Sequence, residues 1–163
     1  RRAGAWTRQV CYEQAKQLLQ LQRADKIQDY PDAIRRASES EKVSIKIPKG
    51  SRLASVNNNP GNLRFVGQAG ARQGEGGFAK FNSPKDGLVA LMRQIALDAS
   101  WGHTLESFIV KYAPPSENNT EEYIQQVSRA LNANRLTPLE QISLQRLTEE
   151  MARKESSATI RFG

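Results

Sequence analysis

The run Asn57-Asn58-Asn59-Pro60-Gly61-Asn62-Leu63-Arg64 concentrates more amide donors and acceptors than any other stretch of this chain. Asparagine side chains compete with the backbone for hydrogen bonds, Pro60 lacks a donor, and Gly61 and Asn62 tolerate left-handed geometry. The run therefore predicts a stiff polar turn, not the interior of a helix or central strand. Such a turn either joins two elements or presents a surface suited to a hydroxyl-rich or acetamido-bearing ligand. Other chemistries are narrowed by composition. Cys11 is the sole cysteine and His103 the sole histidine, which excludes an internal disulfide and a cysteine metal site and disfavours histidine triads and multi-histidine centres. No metal or cofactor is expected. Acidic candidates are sparse near the Asn run: Glu39 and Glu41 precede it, and Glu75 is the only carboxylate between Glu41 and Asp86.

These side chains need elements to hold them. A chain of 163 residues with 38 % hydrophobic content can bury a core, and no apolar stretch approaches the ~20 residues of a membrane span. Apolar spacing predicts a helix over 5–23 and a second from Asp32 to about Glu41, then a short strand over Val43–Pro48. Leu63–Val66 and Phe78–Phe81 read as strands joined by the Gly-rich loop Gly67–Gly77. Ser83-Pro84 opens a helix burying Leu88, Leu91, Met92, Ile95 and Ala99. Thr104 opens another, with His103 in the turn before it, and Asn119 and Thr137 head capping boxes for two more. The expected class is α+β, predominantly α-helical, with a small central β-hairpin or meander. The expected division is a helical segment over 1–50, a domain over 51–155 and an extended or frayed tail over 156–163.

Three blocks in this order carry a resemblance: Asn58-Asn59-Pro60-Gly61-Asn62-Leu63-Arg64, Gly77-Phe78-Ala79-Lys80-Phe81-Asn82-Ser83-Pro84-Lys85-Asp86-Gly87-Leu88, and Tyr112-Ala113-Pro114-Pro115-Ser116-Glu117-Asn118-Asn119-Thr120-Glu121-Glu122-Tyr123. Over about residues 55–133 the chain resembles a lysozyme-like domain of phage virion proteins and related bacterial proteins. It is more distantly similar to the flagellar glucosaminidase family. The resemblance implies a lysozyme-like fold and cleavage of peptidoglycan glycan strands by a glycosidase or lytic transglycosylase. The alternative is an inactive lysozyme-like module that binds cell wall or builds a virion. Either reading implies a periplasmic, cell-wall or virion-associated setting.

In the distant relatives the acid is the Glu of a Glu-Ser dipeptide, at the end of a helix preceding the Asn turn. Glu39-Ser40 matches that dipeptide, with Glu41 as fallback, although 18 residues lie between Glu39 and Asn58. Glu75 falls where the resemblance expects an acidic residue in the hairpin, so Glu75 and Glu39 are the catalytic candidates. Each reads structurally as a solvated charge. Asn58, Asn59, Asn62, Tyr112, Glu117, Asn118 and Tyr123 are the candidate substrate-binding residues, the tyrosines as sugar-stacking rings or as core. Trp101 is a core anchor or a sugar platform. The net charge of +7 suits an anionic partner. Nucleic acid is the weakest reading, because no aromatics interleave with the basic stretch Arg35 to Arg52.

Overall fold

The computed structural model describes residues 30–163, so Cys11 and the helix expected over 5–23 lie outside the described residues. Helix α1 spans 30–39, and strand β1 spans Ser44–Lys46. Helix α2 (Arg52–Val56) leads into the Asn run. Strands β2 (Arg72–Gln73) and β3 (Ala79–Lys80) form an antiparallel pair around a 3-10 turn. Four longer helices follow: α3 (Pro84–Ser100), α4 (Leu105–Tyr112), α5 (Thr120–Leu131) and α6 (Leu144–Ser156). Strand β4 (Thr159–Arg161) closes the order by pairing antiparallel with β1, Ile160 opposite Ile45. The class is α+β and mainly helical, with two small sheets.

Helix starts follow local chemistry. Ser83 caps α3 by accepting from the Asp86 N–H, Thr104 and Ser107 form a capping box for α4, and Asn119 caps α5 through the Glu122 N–H. These hydroxyl and amide oxygens satisfy backbone donors that an α-helix leaves open. Leu88, Leu91, Met92, Ile95 and Ala99 are fully buried on α3. Helix α6 packs on both α3 and α5. Tyr30, Ala33, Ala37 and Val43 share this core with the helices, and so does Ala158 after α6.

Two expectations are corrected. The box at Thr137 does not open the last helix. The Thr137 carbonyl accepts from the Leu105 N–H, Pro138 bridges Thr104, and Leu139–Gln141 is a 3-10 turn; Ser143 caps α6 instead. Leu63–Val66 is not a strand either: only Arg64 makes an isolated bridge, to Phe78. Two backbone bonds flank that bridge, from the Phe65 N–H to the Gly77 carbonyl and from the Ala79 N–H to the Leu63 carbonyl, and side chains take up other backbone donors. The Leu63 N–H donates to Asn59 Oδ1, and the Val66 N–H donates to Gln68 Oε1.

The Asn run is a hub of this kind. Asn57 clamps Glu75 through both amide atoms, and Asn58 Nδ2 donates to the Phe81 carbonyl. Asn59 Nδ2 donates to the Leu63 and Ala79 carbonyls, both at 2.9 Å. Asn58 and Asn62 adopt left-handed φ of 52° and 50°, which asparagine tolerates better than most residues. Helix α3 meets this turn at Gly87, where a Cβ would overlap the Asn58 carbonyl oxygen. Because Asn59 is fully buried, its truncation strands the Leu63 N–H and the Ala79 carbonyl, while the Leu63 carbonyl keeps the Ala79 N–H. Asn59→Ala is expected to lower unfolding free energy by about 3 kcal/mol or more, read as a fall in the urea midpoint; an unchanged midpoint would refute this role.

Candidate functional site

A cleft of about 830 Å³ opens between the Asn turn and the helices. Asn62, Leu63 and Arg64 come from the turn; Gln94, Leu97, Asp98 and Trp101 from the end of α3; Lys111 and Tyr112 from α4; and Glu117 and Asn118 from the α4–α5 loop. Its volume lies in the range of small-ligand sites. The remaining acid on its wall is Glu155, in the last turn of α6.

Glu155 reaches the cleft because the end of α6 is tied to the Asn turn. The Asn62 amide donates to the Glu155 backbone carbonyl at 3.0 Å, and the Ser51 hydroxyl donates to the Ser156 carbonyl at 2.6 Å. The Ser156 hydroxyl in turn donates to the Pro60 carbonyl at 2.7 Å. Asn62 of the turn and Ser51 ahead of α2 thus satisfy carbonyls that a helix C-terminus leaves without partners. The Glu155 carboxylate accepts from the Tyr123 hydroxyl at 2.8 Å. Burial pushes this carboxyl above the usual carboxylate value, against the opposing pull of hydrogen bonds from Tyr123 and Asn62 and of the Lys154 charge. Burial and the neighbouring Glu155 charge hold the Tyr112 and Tyr123 hydroxyls well above their ordinary range, so both stay protonated donors. Tyr112 donates to the Gly61 carbonyl.

Asn62 has a second feature. Donation to Glu155 fixes which end of the amide is nitrogen, and the buried Oδ1 then has no donor among the described residues. A buried acceptor without a partner is costly, and this one belongs to a cleft-lining residue.

The candidates read from the sequence divide spatially. Asn62, Tyr112, Glu117 and Asn118 line the cleft. Asn58 and Asn59 do not, because their amides are engaged with backbone. Tyr123 is 3 % exposed; its ring has no free face for a sugar, and only its hydroxyl reaches the site. Glu75 lies off the cleft, exposed and paired with Arg52 at 2.7 Å, and that hydrogen bond holds its carboxyl below the usual value. Glu39 is exposed and paired with Arg35 at 3.2 Å. The lowered Glu75 carboxyl is thus ill suited to hold a proton near neutral pH, and Glu39 lies off the cleft as well. Glu155 was missed in the sequence although Glu155-Ser156 is itself a Glu-Ser dipeptide at a helix end. It follows the Asn turn in the chain, where the resemblance directs attention ahead of it.

No protein-family model matches this chain, and comparison with curated proteins likewise gives no match. Among the described residues no cluster of His, Cys, Asp and Glu is arranged to hold a metal ion, and no helix is long and apolar enough to cross a membrane.

The Tyr123 hydroxyl stabilises the ionised form of Glu155, so its removal should raise the carboxyl further. Tyr123→Phe is expected to move the Glu155 titration to higher pH, followed by the side-chain carboxyl carbon in NMR. A downward shift or none would contradict the assigned hydrogen bond.

Proposed function

We propose that this chain cleaves the glycan strands of bacterial peptidoglycan, as a glycosidase or lytic transglycosylase, with Glu155 as the acid. The observation that carries the reading is the half-buried Glu155, raised by desolvation, on the wall of the cleft. Breaking a glycosidic bond requires a proton for the departing oxygen, and an acid with an elevated pKa holds that proton nearer neutral pH. Once ionised, Glu155 can take a proton from the attacking hydroxyl, whether water or a hydroxyl of the substrate. The other cleft carboxylates are committed elsewhere: Asp98 to Lys111 at 2.5 Å and Glu117 to Arg64 at 2.8 Å.

Further support comes from the resemblance. The Asn turn that carries it is joined here, by the hydrogen bonds of Asn62 and Ser156, to a different Glu-Ser helix end, Glu155-Ser156, whereas the dipeptide matched by the resemblance, Glu39-Ser40, precedes the turn. The net positive charge suits an anionic wall.

Turbidity clearing of purified cell walls tests the reading. Glu155→Gln is expected to lose at least about a hundredfold in rate, while Glu75→Gln and Glu39→Gln retain wild-type clearing. Because the acid acts while protonated and its pKa is raised, clearing should decline as pH rises through that value, above the usual carboxylate range. Failure of the wild type to clear walls that it binds would favour the inactive wall-binding module. Undiminished clearing by Glu155→Gln would remove Glu155 from the acid role.

A further inference from the structure

The cleft has a second wall that the cleavage chemistry does not use. Gln94, Leu97, Asp98 and Trp101 recur at helical spacing along the end of α3, so all four lie on one face. Trp101 is 62 % exposed and borders the cleft, as do the exposed Leu97 and Val66. Half of the six large hydrophobics exposed among the described residues therefore gather at this one opening. Scattered exposed apolar residues are ordinary, but a cluster at a cleft marks a contact surface.

Trp101 is also held in place by charge. The Lys111 ammonium sits 4.8 Å above the indole centroid, within cation–π range. Lys111 is in turn fixed by Asp98 at 2.5 Å, and Asp98 is almost wholly buried. Gln94 donates to the second Asp98 oxygen at 3.1 Å, and the His103 ring lies 3.8 Å from the first. A buried carboxylate thus positions an ammonium that covers one face of the ring. With that ammonium in place Trp101 is still 62 % exposed, and its ring and Lys111 both line the cleft.

From this arrangement we propose that Trp101 is a sugar-stacking platform. It receives the apolar face of one N-acetylhexosamine ring, with Lys111 and Asp98 as positioning residues. An indole offers a large rigid apolar surface at small entropic cost, and a pyranose ring presents C–H groups on one side and hydroxyls at its edge. The amide of Asn118 on the same cleft offers a partner to those polar edges. The occupant is the glycan strand because the platform is continuous with the cleft that holds Glu155. The inference rests on that reading of the cleft but not on Glu155 being the acid.

Trp101 and Trp6 are the only tryptophans, so in Trp6→Phe the emission excited at about 295 nm, where tyrosine absorbs little, comes from Trp101 alone. In a Trp6→Phe, Glu155→Gln protein, titration with an N-acetylglucosamine hexasaccharide should produce a saturable change in Trp101 emission. In the Glu155→Gln protein, followed by calorimetry, Trp101→Ala should weaken hexasaccharide binding about tenfold, equivalent to about 1.4 kcal/mol. In the active protein the same change should raise KM for wall glycan and leave kcat nearly unchanged. Lys111→Met should lower the fluorescence anisotropy of Trp101 and weaken binding, while Lys111→Arg restores both. Equal hexasaccharide affinity for Trp101→Ala and its parent, or emission unaltered at saturation, would overturn the platform even if Glu155→Gln abolishes clearing. Conversely, clearing that survives Glu155→Gln counts against the acid and leaves the binding measurements to decide the platform.

Discussion

The structure depends on one joint, the seat of the α6 C-terminus against the Asn turn. Backbone carbonyls at a helix end need donors, and the turn needs anchoring because several of its residues hold left-handed or proline-restricted geometry. The Asn62, Ser51 and Ser156 side chains meet both needs at once. The same contacts place Glu155 on the cleft and bring it under the Tyr123 hydroxyl. Position and protonation of the carboxyl therefore share a cause: the packing that aims it also desolvates it.

The division of labour within the Asn run follows from this joint. Asn57, Asn58 and Asn59 spend their amides on the backbone of the central β-element. Asn62 alone faces α6, with one amide atom engaged and the other without a donor. Residues of one type, adjacent in sequence, thus serve different ends according to what packs against them. Gly87 and Gly61 permit this density, since a Cβ at either would overlap the turn or the Tyr112 hydroxyl.

Features set by a few neighbouring residues were legible in the sequence. The caps at Ser83, Thr104 and Asn119, the buried stripe of α3 and the polar turn all follow from short-range hydrogen bonding and periodicity. Thr137 shows the limit of that reasoning, because a tertiary bridge to Thr104 consumed its neighbourhood before a helix could start there. The setting of Glu155 lay beyond local reasoning for a related cause. Arg153-Lys154-Glu155-Ser156 reads as a charged, solvated helix end, and nothing nearby in the chain desolvates it. Its environment comes from Asn62 and Tyr123, far away in sequence. Trp101 reverses the case: its type suggests a core residue, yet the ring stands in the cleft mouth over a charged support.

The bond between Asn62 and Glu155 spans 93 residues. Contacts of such separation form late, since the entropy of closing a long loop precedes any return from it. A partly folded chain can build the hairpin, the Asn turn and α3 from local interactions alone. It would then present a polar turn and an indole ring without the α6 carboxyl beside them. The cleft wall that carries Glu155 is thus a property of the completed topology and not of any local segment.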